Sequence, residues 1–246
     1  MEKKEEFREP SLETINLAVE AIEQNDLEKL KYYVQGMLNK YKNGSTSWLF
    51  SGIFYNLNNN LVESEKSILK SLDINPNYGE AHRIYADILR KKNRSDESLK
   101  HAKLAVEINQ ESAAALDTLG TSFAKLNNHQ DAEINFLKAI KIKPETAVFF
   151  NNLGNTQRHL GKHAESIISL KKAKELSPNF AEIYNNLSLT YFEKGDYQNA
   201  YKVLKEIENK NLLNNYNAKD LFTSYGHICS KIYQFKKAKE YYKKAL

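Results

Sequence analysis

The chain has 246 residues, of which 41% are hydrophobic and 27% charged, and it carries a formal net charge of +5. These proportions are ordinary for a folded helical protein and exclude a disordered chain. The start, MEKKEEFREP, has no apolar signal stretch and no apolar run is long enough to span a membrane, so the sequence predicts a cytoplasmic protein without membrane contact. The one cysteine, Cys229, excludes an intrachain disulfide, and its apolar helical column predicts a packed thiol.

Residues 1–10 are predicted to form a disordered tail, and a repeating pattern begins at Ser11. Its blocks are all of one length, and six of them are complete: 11–44, 45–78, 79–112, 113–146, 147–180 and 181–214. Pro144 and Pro178 lie one block apart and Pro76 lies two blocks before Pro144, so the three prolines share one phase of the period. A partial block at 219–246 follows a short insert within Leu212–Ala218.

Each block is predicted to be a helix, a tight turn and a second helix. The fifteenth column contains only residue types that tolerate the left-handed conformation at a helix end. Its members are Asn25, Asn59, Asn93, Asn127, Gly161 and Gly195. The eighth and twentieth columns contain small residues, which predicts that the two helices of a block approach closely there. The eighth column holds Ala18, Gly52, Ala86, Gly120, Gly154 and Ser188. The twentieth holds Ser64, Ser98, Ala132, Ser166 and Ala200, with Leu30 as the exception.

This layout resembles the tetratricopeptide repeat (TPR), a helical hairpin of about 34 residues, over 11–214 and the partial block. The block from Ser45 matches the family pattern at Trp48, Gly52, Tyr55 and Pro76. The block from Ala113 matches at Leu116, Leu119, Gly120, Phe123, Ala132, Phe136, Ala139 and Pro144. The resemblance implies an all-α fold over 11–246, a right-handed α-solenoid of about seven antiparallel helical hairpins with the last one incomplete.

No catalytic or cofactor motif is present, so we expect neither an enzyme active site nor a cofactor. His159 and His163 have a spacing that suits a metal on one continuous helix, but Gly161 between them predicts a turn, so no metal site is expected. The lysines fall mainly in second helices, where a solvated outer face explains them, and no nucleic-acid-binding motif accompanies them. Nucleic acid is therefore not an expected partner.

The resemblance implies that the first helices line a groove that binds a protein or peptide partner. Apolar residues, Leu49, Phe50 and Ile53, are expected at one end of this groove, followed by charged residues and then by amides. The candidate binding residues are Arg83, Asp87, Arg90, Asp117, Thr121, Lys125, Asn151, Asn152, Asn155, Arg158, Asn185, Asn186 and Leu189.

Two of the asparagines, Asn152 and Asn186, share the sixth column, where the TPR arm of O-linked N-acetylglucosamine transferase carries asparagines that hold a peptide backbone. An amide both donates and accepts, so it pairs with a peptide unit whatever the peptide's side chains. Asparagine is abundant throughout the chain, so these residues are either rungs of a partial ladder or a consequence of composition. A carboxylate clamp is not expected, because Asp87 stands beside Arg83 where an amide is required.

Three hypotheses of function follow. The first is a non-catalytic interaction scaffold that grips an extended peptide or a helix in its groove. The second is the recognition arm of a larger enzyme, because the repeats also resemble bacterial TPR arms fused to glycosyltransferases or sulfotransferases. The third is self-association through an apolar face at the C-terminal end, predicted to consist of Tyr225, Ile228, Tyr242 and Ala245.

Overall fold

The computed structural model describes residues 9–210 and 218–246, and this part of the chain contains fourteen α-helices and no strand. The predicted all-α fold is therefore confirmed. The helices are α1 (Leu12–Glu23), α2 (Leu27–Lys40), α3 (Ser45–Leu57), α4 (Leu61–Ile74), α5 (Gly79–Lys91), α6 (Ser95–Ile108), α7 (Ala113–Lys125), α8 (His129–Ile142), α9 (Ala147–His159), α10 (His163–Leu176), α11 (Ala181–Glu193), α12 (Tyr197–Asn209), α13 (Ala218–Lys231) and α14 (Phe235–Lys244).

The helices form two compact units, divided between Leu126 and Asn127 in the turn that joins α7 to α8. The first unit contains α1 to α7 and the second contains α8 to α14. The predicted insert within Leu212–Ala218 lies outside the described residues, except for Ala218 at the start of α13. Among the described residues, no helix is both long and apolar enough to cross a membrane.

Three-residue turns join the two helices of each pair, and the middle residue of every such turn has positive φ. Asparagine or glycine occupies this position in six turns, as predicted, because these residues adopt the left-handed conformation at low cost. The exception is Tyr233, with φ 61° and 82% of its surface exposed. Asp26, Asn60, Asn128 and Asp196 follow four of these residues and accept a backbone N–H from the first turn of the second helix.

Close helix contact occurs at the two small-residue columns. Ser64 Oγ donates to the carbonyl oxygen of Gly52 at 2.7 Å, and Ser166 Oγ donates to that of Gly154 at 2.7 Å. Ser98 Oγ makes the equivalent bond to Ala86 at 2.8 Å. A serine hydroxyl on one helix can reach a main-chain carbonyl on the other only where no larger side chain separates the two helices. These hydrogen bonds therefore show that the two backbones lie close together.

We predict that Gly52→Ala destabilises the protein. An added Cβ would lie 2.5 Å from Cγ1 of Ile68, which is fully buried, so the side chain or the helix would have to shift. Overpacking of this kind costs about 1–3 kcal/mol. Urea unfolding followed by circular dichroism measures the effect.

The matched control is Gly36→Ala in α2, where an added Cβ meets nothing within 4 Å. Alanine should stabilise that helix by about 0.5–1 kcal/mol. Equal effects of the two substitutions would contradict the packing argument.

The N-terminal segment joins the fold earlier than predicted. Residues 1–8 lie outside the described part of the chain, but Pro10 is buried and Glu9 caps helix α3. The carboxylate of Glu9 accepts the N–H of Ser45 at 2.8 Å, the hydroxyl of Ser45 at 2.8 Å and the N–H of Thr46 at 3.0 Å. Burial acts to raise the pKa of this carboxyl, but the hydrogen bonds from Ser45 and Thr46 outweigh it and hold the pKa below its ordinary value.

We predict that Glu9→Gln lowers the melting temperature at neutral pH, because the charge at the N-terminus of α3 is lost. A carboxyl with a depressed pKa stabilises the folded state above its unfolded pKa, and this contribution disappears as the pH falls through its folded pKa. The difference from wild type should therefore shrink in acid. Glu111→Gln, in the exposed turn before α7, is the control, and a pH-independent difference would contradict the assignment.

The C-terminal end differs in detail from the prediction. Tyr225 and Ile228 are buried in the core of the second unit, at 0% and 1% exposure, so they are not part of an uncovered face. Cys229 is also fully buried, which confirms a packed thiol, and burial raises its pKa. The exposed apolar residues at this end include Phe235 and Leu246.

Candidate functional site

A recess of about 360 Å³ lies on the first helices of the first unit, between α1, α3 and α5. Its apolar lining comes from Ile15, Val19, Ile22, Leu49, Phe50, Ile53, Tyr78 and Ile84. Thr46 adds a hydroxyl at one side, where its Oγ1 lies 3.3 Å from the phenolic oxygen of Tyr78. Leu49, Phe50 and Ile84 are buried at 3%, 5% and 5% exposure, whereas Val19 is 39% exposed, so the recess is open to solvent on the α1 side. A cavity of this size lies at the lower end of the range for ligand sites.

The charged residues at the border of the recess form ion pairs with one another. Arg83 Nη2 lies 2.5 Å from Glu80 Oε1, and Arg83 Nη1 lies 3.3 Å from Asp87 Oδ2. Asp87 also pairs with Arg90 at 3.2 Å. Burial acts to lower the pKa of Arg83, but Glu80, Asp87 and Asp117 together raise it, so the guanidinium stays charged. Arg83 and Arg90 are thus already paired with carboxylates of their own helix.

The remaining candidate binding residues of the first unit, Asp117, Thr121 and Lys125, lie on α7. Thr121 donates its hydroxyl to the carbonyl of Asp117 at 2.9 Å, which leaves little donor capacity for a ligand. Lys125 is at the end of α7, and Asp117 is half-buried. None of these three lines the recess.

The amide candidates of the second unit are mostly buried. Asn151, Asn185 and Asn186 are 2%, 8% and 8% exposed. Asn186 Nδ2 donates to Asn151 Oδ1 at 2.9 Å, and Asn151 Nδ2 donates to Glu182 at 3.2 Å. These bonds join α9 to α11, so the amides of Asn151 and Asn186 hold two first helices together. Asn152, Asn155 and Leu189 are half-buried.

Arg158 is the other charged candidate in this unit, and it too is paired. It forms an ion pair with Glu193 and donates to Asn155 Oδ1 at 2.9 Å, and its side chain is only 12% exposed. The arrangement resembles that of Arg83, because a cation on a first helix is neutralised by a neighbouring carboxylate.

Sequence reasoning missed a histidine pair in the first unit. The Nδ1 atoms of His82 and His101 lie 2.9 Å apart, and His82 Nε2 lies 2.9 Å from the carbonyl oxygen of Pro76. Burial and the neighbouring His82 lower the pKa of His101. The two residues are nineteen positions apart in different columns, so no spacing rule connects them. In the described part of the chain, no group of three or more His, Cys, Asp or Glu side chains is placed to hold a metal ion.

Comparison with known families agrees with the geometry. A family model described as a TPR repeat matches residues 154–195, and one described as a tetratricopeptide repeat matches 113–146 and 220–246. The chain therefore contains tetratricopeptide repeats. No curated protein sequence matches it.

Several solved structures have the same fold. A tetratricopeptide repeat protein from Parabacteroides merdae has a TM-score of 0.69 and 17% identity, covering 95% of this chain and 91% of that one. PilW, described as a widely conserved type IV pilus biogenesis factor, has a TM-score of 0.74 and 20% identity, with coverages of 80% and 90%. YrrB, described as a TPR protein with an unusual peptide-binding site, has a TM-score of 0.55 and 16% identity, with coverages of 72% and 91%. The repeats and these neighbours support a protein–protein interaction scaffold.

We predict that Asn186→Ala lowers the free energy of unfolding by about 1–3 kcal/mol, because it leaves the buried Oδ1 of Asn151 without this donor. Chemical unfolding followed by circular dichroism measures the change. Asn209→Ala, at the exposed end of α12, is the control and should stay within about 0.5 kcal/mol. If both variants unfold like wild type, the amide of Asn186 has no structural role.

Proposed function

We propose that the protein is a non-catalytic scaffold that binds an extended segment or a helix of a partner protein along its first helices, with an apolar side chain of the partner in the recess between α1, α3 and α5. The observation that carries this proposal is the recess itself. It is open on the α1 side, most of its lining is apolar, and the helix that forms its centre, α3, carries no charged residue. Burial of an apolar side chain in such a site supplies about 1.5–3 kcal/mol.

The chemistry of the border supports an uncharged anchor residue. A carboxylate of the partner would have to displace Glu80 or Asp87 from Arg83, and a partner cation would meet a guanidinium at the same place. Neither exchange adds an ion pair, so charged residues gain little there. The hydroxyls of Thr46 and Tyr78 at the rim can pair with main-chain groups of the partner instead.

The second hypothesis, a recognition arm of a larger enzyme, stays a prediction. It rests on the resemblance of the repeats to bacterial TPR arms fused to glycosyltransferases or sulfotransferases. The amide of Asn186, one of the two residues of the predicted asparagine ladder, is engaged with Asn151. The recess does not depend on that ladder, which is why we place the anchor site in the first unit.

The test is a substitution inside the recess combined with an unbiased search for ligands. A random peptide library displayed on phage is selected against the whole chain, and a synthetic copy of the recovered peptide is titrated by fluorescence anisotropy. We expect the recovered peptides to share an apolar anchor residue. Val19→Asp should weaken binding about tenfold or more, because it places a charge against that anchor.

The matched control is Val62→Asp on α4, where the valine is 69% exposed and does not line the recess. It should bind like wild type. Equal affinities of the two variants, or recovered peptides without an apolar residue in common, would place the binding surface elsewhere.

A further inference from the structure

The hairpin of α13 and α14 carries an open apolar cleft of about 620 Å³. We call it the C-terminal cleft; Ala238, Tyr242 and Leu246 form its apolar part, and Lys219, Lys239 and Lys243 lie around it. Phe235 extends the apolar surface at one end, with 62% of its surface exposed. The cleft therefore offers an apolar contact bordered by lysines.

The charge of this hairpin is strongly one-sided. Residues 218–246 contain seven lysines against two acidic residues, Asp220 and Glu240. Glu240 is paired with Lys244 at 2.9 Å. Within the described side chains, no carboxylate forms an ion pair with the three lysines of the cleft. A partner for the cleft should therefore be apolar with acidic flanks.

Helix α1 has the complementary surface. It contains Glu13, Glu20 and Glu23 and no lysine or arginine. Leu12 is 72% exposed and Leu17 is 38% exposed. Glu13, Leu17 and Glu20 follow a helical spacing that puts them on one face, with the leucine between two carboxylates.

The repeat geometry indicates how these two surfaces fit. Leu17 occupies the seventh column, and the residues of that column in later hairpins are buried against the second helix of the hairpin before. Tyr85 packs in one cluster with Ile68, Leu119 with Ala102, and Leu187 with Leu170. The residues on the second helices all belong to the twenty-fourth column, and the member of that column in α14 is Tyr242, in the cleft.

We propose that α1 of one copy docks in the C-terminal cleft of a second copy, with Leu17 against Tyr242 and Glu13 and Glu20 beside Lys239 and Lys243. In this contact, two chains pack against each other in the same way as two consecutive hairpins pack within one chain. It uses different surfaces on the two copies, so it is heterologous and builds a ring or an open chain.

The first test is the mass of the whole chain in solution, measured by light scattering behind size-exclusion chromatography over a range of concentrations. We expect the mass to rise above 28.4 kDa with concentration and to fall back at high salt, which screens the ion pairs. A mass that stays at that of one chain at every concentration and low salt would overturn the proposal.

The second test exchanges the charges. Glu13→Lys with Glu20→Lys gives one variant, and Lys239→Glu with Lys243→Glu gives the other. Each variant alone should lose association, because like charges then face each other, and an equimolar mixture should regain it, because opposite charges face again where the two variants meet.

Two outcomes of this exchange would refute the docking: variants that associate like wild type, and a mixture that stays monomeric although both variants are folded by circular dichroism. The control is Lys171→Glu with Lys172→Glu on α10, which removes the same charge far from both surfaces in sequence and should leave association unchanged.

Discussion

The close approach of two helices at the small-residue columns is the constraint on which the rest of the fold depends. Gly52 and Gly154 have no side chain, and each places a carbonyl within 2.7 Å of a serine hydroxyl on the partner helix. Ser98 and Ser166 also contact a hydroxyl on the next first helix, Ser122 at 3.1 Å and Thr190 at 3.0 Å. One small polar residue thus fixes the spacing within a hairpin and the register of the following one, while its own hydrogen bonds are satisfied.

That spacing affects which side chains of the first helices are exposed. When the backbones are near, a large residue next to the small one must point away from the contact, either into the neighbouring hairpin or toward solvent. In the first unit this produces the open apolar recess beside α3, and the ion pairs of Arg83 close its charged side. In the second unit, Asn151 and Asn186 on the first helices bond to each other. The same repeat therefore gives an open apolar recess in one unit and a contact between two buried amides in the other.

Local features were predictable from the sequence because they depend on few neighbours. Asn59 and Gly161 end helices by adopting positive φ, a conformation that these residue types adopt at low cost whatever their neighbours. The buried thiol of Cys229 followed from helical periodicity. The candidate site was harder to predict from the sequence. The apolar residues near Leu49 were expected, but the contribution of Ile15 and Val19 depends on how α1 packs beside α3. The helix cap by Glu9 was also not predictable, because it joins residues thirty-six positions apart.

The sequence by itself determined the repeat, the helical hairpins and the positions of their turns, since a constant period puts small residues and turn residues in the same columns of successive blocks. The tertiary structure alone decided which polar side chains are available. The sequence does not show whether an asparagine or an arginine faces solvent or a neighbouring helix. In the fold, its donors form hydrogen bonds with the nearest acceptors. Asn186 bonds to Asn151 and Arg83 to Glu80, because hydrogen-bonding capacity is finite and is assigned by proximity in space rather than by position in the repeat.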